Sequence, residues 1–300
     1  MPFTRHQLLK SMSLSISVIT PSYNQGRYIE RTIQSVLDQN IDSEYIVYDA
    51  VSTDNTVDIL KKYEQQIKWI SEPDAGQTDA VNKGILATKG DIIAWINSDD
   101  VYLEGALQTV KDYFEQNPGV DLVYGDAWYI DENDKKLTPY ITESWNFEKL
   151  KEVCFICQPA AFFRRSTIEK FGLMNPNLQY CMDYEFWLRL GQGKAQIAYL
   201  PVYLASSRLY PENKTLGQKT KVHLEINDML KKLLGYVPDS WLYAYAGHMT
   251  DTLGFSRKID ERRFLFQIAY QSLSAAWRWN RRVSMKMLLL TGKWFVGAFL

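Results

Sequence analysis

The sequence predicts an α/β protein with a mostly parallel central sheet, helices on both of its faces and a helical C-terminal extension. Three observations carry this. Short apolar runs alternate with amphipathic helical patterns through the N-terminal part of the chain. Turn-forming residues fall at the ends of those runs, where loops of a parallel sheet are open to ligands. Finally, 300 residues, 46% hydrophobic and 14% aromatic, suffice for one large core with a helical annex.

The elements follow in order. Ser15 to Thr20 reads as a strand, and Pro21 to Gly26 as a turn leading into a helix from about Tyr28 to Gln39, whose Ile29, Ile33, Val36 and Leu37 share a face. Glu44 to Tyr48 is a second strand. Ser52-Thr53-Asp54-Asn55-Thr56 can cap the next helix, which carries Val57, Ile59, Leu60 and Tyr63. Ile67 to Ile70, a helix over Gln77 to Ala87, a strand over Asp91 to Asn97 and a helix near Glu104 to Gln116 continue the rhythm. Beyond it the rhythm fails. Val120 to Tyr124 and Ala127 to Ile130 read as paired strands joined by a tight Gly125-Asp126 link. Phe155 to Phe163 and Ala195 to Ala205 are further strands, with helices at Ser166 to Phe171 and Asp183 to Leu190 between them.

From about Leu216 the chain is helical, with Trp241, Tyr243, Tyr245, Trp277, Trp279 and Trp294 among Arg262, Arg263, Arg278, Arg281 and Arg282. Two readings stand for it: a subdomain closing the core, or a peripheral membrane contact through a basic aromatic face.

Composition excludes several classes. Thirty-four basic and 35 acidic residues give a charge of -1, so no global field favours nucleic acid. Cys154, Cys157 and Cys181 lack nearby histidines and read as buried or half-buried thiols rather than a zinc site. Met1 to Ser13 lacks the pattern of a signal peptide, and Lys286 and Lys293 interrupt Met285 to Leu300, the nearest approach to a spanning helix. The expected location is cytoplasmic, or peripheral on the inner face of the plasma membrane. Oligomeric state is not encoded legibly.

The chemistry concentrates at strand ends. Trp95-Ile96-Asn97-Ser98-Asp99-Asp100 is an apolar run ending in two carboxylates, where a divalent cation and a diphosphate can meet; the bland alternative is a solvated turn capping a helix. Tyr23 offers a stacking plane and Asp49 a hydrogen-bond acceptor for a base edge such as that of uracil, or Tyr23 simply packs. Glu72 to Gln77 adds polar groups at a third strand end. Asp79 and Lys83 lie four apart on one helical face, so Lys83 either neutralises a phosphate or pairs with Asp79. The first strand leads to Pro21-Ser22-Tyr23-Asn24-Gln25-Gly26 and not to G-x-G-x-x-G, which disfavours a Rossmann dehydrogenase.

Ser17 to Asn24, Ser52 to Thr56, Glu72 to Gly76, Asn82-Lys83-Gly84 and Asn97 to Asp100, in this order, resemble the bacterial-type family 2 glycosyltransferases of the GT-A fold, over roughly residues 15 to 215. The resemblance implies the GT-A nucleotide-diphospho-sugar transferase fold. It also implies inverting transfer of a hexosyl or N-acetylhexosaminyl group, assisted by Mn2+ or Mg2+, from a nucleotide-diphosphate donor, UDP favoured, to a hydroxyl of a glycan or lipid-linked glycan. It divides the chain into an extension (1–14), a catalytic domain (15–215, with a nucleotide-sugar half to 125 and an acceptor half from 126) and a helical region (216–300). Pro21, Tyr23 and Asp49 look like the nucleoside pocket, Asp79, Lys83, Asp99 and Arg208 like further donor contacts, and Asp99 with Asp100 like the metal motif, with Asp100 the more direct ligand. Asp183, in Met182 to Arg189, resembles the catalytic base.

Three departures accompany the match. Asp49-Ala50-Val51 replaces an Asp followed by glycines, so positive φ there would be strained. Met182 stands where an acid often precedes the base. Tyr210 occupies the place of a frequent histidine, leaving Arg208 and Lys214 to compensate charge. A sugar-nucleotide-binding scaffold without turnover is the rival reading that these departures support. Glu185 reads as an acceptor contact or as part of a solvated helix face.

Overall fold

The computed structural model describes residues 13–213 and 217–299, the side chains of 298 and 299 excepted. The expected extension therefore lies largely outside the described residues, as do Lys214 and Leu216. The chain forms two compact units: one runs up to Trp145 and resumes over Phe155–Tyr210, and the other joins Asn146–Cys154 to the chain from Pro211 onward.

The first unit holds a nine-stranded sheet. Strands β1 (Ile16–Ser22), β2 (Ser43–Asp49), β3 (Lys68–Ser71) and β4 (Ile92–Trp95) are all parallel, in the order β3-β2-β1-β4. Their connections are α1 (Ile29–Leu37), α2 (Thr56–Lys62) and α3 (Gln77–Ala87). β1 is buried along its whole length because it is central to this half, which explains why its sequence is a nearly unbroken apolar run. Pro21 is tolerated there because β4 pairs with β1 only as far as Ile19, so no partner on that side needs its missing N–H.

Beyond β4 the order continues as β8-β6-β9-β5, with β7 on β6. These are β5 (Val101–Tyr102), β6 (Leu122–Ile130), β7 (Lys136–Pro139), β8 (Ala161–Arg164) and β9 (Ile197–Arg208). β8 is antiparallel to both β4 and β6, and β5–β9 and β6–β7 are antiparallel too, whereas β6–β9 is parallel. The expected mostly parallel sheet is thus corrected to a parallel N-terminal half joined to a mixed one. Helices α4 (Ala106–Gln116), α6 (Arg165–Phe171) and α7 (Met182–Gln192) complete the unit.

Two strand assignments also change. Gly125-Asp126 is not a hairpin link but lies within the single strand β6, opposite a bulge in β9: Gly125 pairs with Leu200 and Asp126 with Tyr203, so the extra residues belong to β9. A Cβ at Gly125 would stand 2.5 Å from Leu204 Cδ1 and 2.6 Å from the Val202 carbonyl, so the close approach of β9 requires glycine. The stretch from Phe155 is strand only at β8; Gln158–Ala160 form a 3-10 turn instead, because Gln158 turns its amide into the sheet end rather than pairing along it.

The second unit is α5 (Phe147–Glu152), α8 (Lys219–Leu234), α9 (Asp239–Thr252), α10 (Glu261–Asn280) and α11 (Met285–Phe299). Trp279 is buried and donates to Asp228 at 2.7 Å, Tyr245 meets it edge-on, and Trp241 donates to the Lys151 carbonyl at 3.1 Å. Of the aromatic residues singled out in this region, Trp277 alone is mostly exposed, at 60%. Among the described residues no helix is long and apolar enough to cross a membrane.

Candidate active site

Because β1, β2 and β4 are parallel neighbours, their C-terminal ends open on one edge of the sheet. There the loop after β1 and the loop after β2 are laced together. Asn24 N–H donates to Ser52 Oγ at 2.8 Å, Thr53 N–H to Asn24 Oδ1 at 2.8 Å, Gln25 N–H to Thr56 Oγ1 at 3.0 Å and Gly26 N–H to Asp54 Oδ2 at 2.9 Å. This lacing leaves the Tyr23 ring standing free, 59% exposed, while Pro21 is buried in β1.

Asp49 does not face that opening. It is 1% exposed and accepts from Ser52 N–H at 3.0 Å, from the Ser52 hydroxyl, and from Ser71 Oγ at 2.7 Å. Its carboxylate closes the turn after β2 and ties it to β3, which corrects the expectation that it presents an acceptor to a base. Val51, within the same turn, adopts φ +56, a left-handed conformation that is a strained state for a β-branched residue.

The two carboxylates after β4 divide sharply. Asp100 is buried; its Oδ1 accepts from the Arg208 N–H at 2.9 Å and its Oδ2 from Asn97 Nδ2 at 3.2 Å. Burial, and after it the neighbouring Asp99 charge, push Asp100 up to about 8 against these hydrogen bonds. Asp99 is only half-buried and receives the Tyr210 hydroxyl on Oδ2 at 2.8 Å. Asp99 is thus the more accessible carboxylate of the pair, whereas the sequence expectation makes Asp100 the more direct metal ligand. Burial raises the Tyr210 phenol, and the Asp99 charge raises it further, so it stays a neutral donor.

Asn97 is the hub beneath this pair. Its Oδ1 accepts from Gln77 Nε2 at 2.6 Å and from Trp95 Nε1 at 3.0 Å, and its Nδ2 also reaches Gln158 Oε1 at 3.0 Å. Gln158 in turn donates to the Trp95 carbonyl at 2.7 Å. Sequence reading missed Gln77 and Gln158 as partners; a polar residue beginning a helix or a 3-10 turn carries no signal until the sheet brings it to Asn97.

Arg208 was expected at the donor. Instead its guanidinium is buried, donating from Nε to the Asp99 carbonyl at 2.8 Å and from Nη1 to the Asp131 carbonyl at 2.8 Å, and pairing through Nη2 with Asp134 at 2.5 Å. It anchors the Asp99 backbone, and its charge is paired with Asp134. Lys83 bridges Glu72 at 2.8 Å and Asp79 at 3.3 Å, so these two expected donor contacts neutralise each other on the surface of α3.

Asp183 sits in the first turn of α7, half-buried, with Cys181 and not Asp183 as the N-cap. The segment before it is docked on α3: Thr78 Oγ1 donates to the Leu178 carbonyl at 2.7 Å, and Gln179 lies over Gly76, whose φ of +115 a side chain would not tolerate. Glu185 is buried and holds Arg189 at 2.9 Å, which in turn caps the carbonyls of Phe171 and Leu173. It is engaged within the fold and is not part of a solvated helix face.

A divalent cation of the Mg2+ or Mn2+ type binds through one or two carboxylates, with phosphate oxygens and waters completing its shell. Among the described residues no group of three or more His, Cys, Asp or Glu side chains surrounds a metal position. A half-buried Asp99 with a neutral phenol beside it fits that sparse donor set.

Comparisons with known proteins bear on the family and the fold. The glycosyl transferase family 2 profile matches residues 17–172. An uncharacterized glycosyltransferase of Nostoc sp. is 29% identical over 256 residues, covering 74% of this chain and 77% of the relative. The putative teichuronic acid biosynthesis glycosyltransferase TuaG of Bacillus subtilis is 31% identical over 187 residues, 58% of this chain and 71% of its own length. Among solved structures, Staphylococcus aureus TarS 1-349 in complex with UDP-GlcNAc superposes with a TM-score of 0.61 at 15% identity, over 95% of this chain and 89% of that one. The mannosyltransferase PcManGT of Pyrobaculum calidifontis, in complex with GDP-Man and Mn2+, gives 0.52 at 14% identity, over 95% and 80%. With over half its length matched by the family profile, the chain belongs to glycosyl transferase family 2, a glycosyltransferase with the GT-A fold.

Proposed function

We propose that this glycosyltransferase moves a sugar, with inversion, from a nucleotide-diphosphate donor, UDP favoured, to a hydroxyl of a glycan or lipid-linked glycan. The observation that carries the reading is Asp99: a half-buried carboxylate at the open edge of the parallel strands, held by the Arg208 anchor and the Tyr210 hydroxyl. Tyr23 is the exposed ring on which the base would stack. TarS bound to UDP-GlcNAc and PcManGT bound to GDP-Man and Mn2+ support a nucleotide-sugar donor, and the name of TuaG supports an envelope-polysaccharide acceptor.

Asp183 is assigned as base. Its carboxylate takes the proton of the acceptor hydroxyl while that oxygen bonds to the anomeric carbon; the bond from that carbon to the diphosphate oxygen breaks, and its electron pair leaves with the nucleoside diphosphate. Mn2+ or Mg2+ at Asp99 would supply Lewis-acid stabilisation of the leaving diphosphate.

The test is turnover of UDP-, dTDP- and GDP-sugars with Mn2+, read as free nucleotide and as transferred sugar, for the native chain and Asp183→Asn. The proposal expects one nucleotide to be preferred, and the variant to lose about 100-fold or more in turnover with nucleotide binding retained. An Asp183→Asn protein that turns over normally would remove the base assignment. Failure of every donor to bind would remove the donor reading.

A further inference from the structure

We propose that the outer face of α10 and α11 docks on the surface of an anionic phospholipid bilayer. The inference stands apart from the sugar-transfer reading, because it rests on the helical unit alone.

The first observation is a charge pattern. Residues 262–300 carry seven cations, Arg262, Arg263, Arg278, Arg281, Arg282, Lys286 and Lys293, and not one Asp or Glu, although the whole chain has a net charge of -1. Arg278, Arg281, Arg282, Lys286 and Lys293 form no ion pair with any described residue, and Arg278 lies 4.6 Å from the centroid of the Trp279 ring. Among the described residues Asp228, which accepts from Trp279, and Asp239, which accepts from Ser284, are the acids nearest in contact to this segment; five cations against these two leave an excess of positive charge in a nearly neutral protein.

The second observation is what stands between those charges. On α11, Met285, Leu289 and Val296 fall at i, i+4 and i+11, one stripe of the helix, and are 71%, 64% and 57% exposed. Leu288 adds 47% at the margin of the stripe. On α10, Phe266, Tyr270 and Trp277 repeat the spacing and are 45%, 56% and 60% exposed. The two helices touch where the Phe266 and Phe295 rings pack edge-on at 5.4 Å, Phe295 lying about a quarter turn round α11 from the Met285, Leu289 and Val296 stripe. Lys286 and Lys293, seven residues apart, run along one margin of the α11 stripe.

Exposed aliphatic and aromatic side chains flanked by lysine and arginine are the signature of a helix lying in the headgroup region. The apolar stripe enters the acyl boundary and the cations meet the phosphates. Trp277 beside Arg278 has the amphipathic character that favours this depth. No described helix is long and apolar enough to span a bilayer, so the contact would lie on the surface. A nucleic acid would leave Met285, Leu289 and Val296 without a use. A second copy of the chain would bring two positive faces together.

The experiment is flotation of the full chain with vesicles of phosphatidylcholine alone and of phosphatidylcholine mixed with phosphatidylglycerol, at low and high salt. Two variants accompany it: Leu289→Glu with Val296→Glu, and Arg281→Ser with Arg282→Ser, Lys286→Ser and Lys293→Ser. All six side chains already face solvent, and melting by circular dichroism checks the fold; Leu289→Ser with Val296→Ser replaces the first variant if it melts early. We expect flotation only with phosphatidylglycerol, weakened by salt, and reduced about tenfold or more in each variant. Equal flotation with phosphatidylcholine alone, no flotation at all, or flotation unchanged by both variants overturns the proposal. So does a dimer, seen by sedimentation without lipid, that the glutamate variant dissociates, or tighter capture of a duplex oligonucleotide than of anionic vesicles.

Discussion

Asp99 and Asp100 are adjacent in sequence and opposite in fate, and the difference is one of burial. Asp100 accepts from a backbone N–H and two side chains, so above about pH 8, where it is ionised, replacing it with asparagine sets an NH2 group against donors. At such pH Asp100→Asn should cost about 1–3 kcal/mol of stability, measured by urea unfolding. Asp99→Asn keeps an acceptor for Tyr210 and should melt within a degree or two of the native chain, yet lose about tenfold or more of Mn2+-dependent UDP binding in calorimetry. Equal loss of metal-dependent binding in both variants would return Asp100 to the metal. The motif was legible in sequence, but which carboxylate points outward was not, because that depends on Arg208 arriving from β9. Asp49 misled for the same reason: an acid at a strand end reads alike as a ligand or as the anchor of its own turn. Positive φ is unfavourable for any residue with a side chain in the Asp49-Ala50-Val51 turn, and Val51 adopts it, at φ +56. Val51→Gly removes that strain at some entropic cost and should raise stability by about 1 kcal/mol in the same unfolding assay. A neutral or lower value would mean that the valine side chain compensates by contacts in the turn.

Among the elements, the parallel β1–β4 half was legible because β1, β4 and most of β2 are buried on both faces and read as short apolar runs between amphipathic helical patterns, although β3 is largely exposed. β6 was not. Gly125-Asp126 has turn composition, and only the pairing with β9, which bulges opposite it, shows that the chain runs on there without reversing. The loop after β6 matters to the site, since Asp134 pairs with Arg208 and Arg31, joining α1, β9 and the Asp99 backbone. Burial pushes the Asp134 carboxyl up, but the hydrogen bonds and charges of Arg31 and Arg208 outweigh it and hold the group below its usual value. A depressed carboxylate contributes stability that is present above its unfolded pKa and lost as pH falls through the folded one. Asp134→Asn should therefore lower the melting temperature at pH 7, by an amount equivalent to about 1 kcal/mol or less because solvent screens the pair. The gap to the native chain should close as pH falls below about 4. A gap that is constant over this range would show that the residue acts by shape alone.

At the scale of the whole molecule, net charge conceals a division. The first 261 residues hold 27 cations and all 35 acids, a charge of -8, whereas the remaining 39 hold seven cations and no acid. A uniform protein with a pI near 6.3 would pass through a sulfonate resin at pH 7.5, since its mean surface is negative. Adsorption is governed instead by the most favourable patch within a Debye length of the resin, about 10 Å at moderate ionic strength, and the distant acids are screened from it. The chain should therefore bind the sulfonate resin at pH 7.5 in low salt and elute as a sharp peak in a chloride gradient. Replacing Arg281, Arg282, Lys286 and Lys293 by serine should shift it to the flow-through, although that makes the net charge more negative by only four. Replacing an equal number of scattered cations, such as Lys61, Lys68, Lys111 and Lys135, makes the same change in net charge and should leave the elution position nearly where it was. If both sets of substitutions moved the peak alike, retention would follow net charge, and the cations of α10 and α11 would not act as one surface.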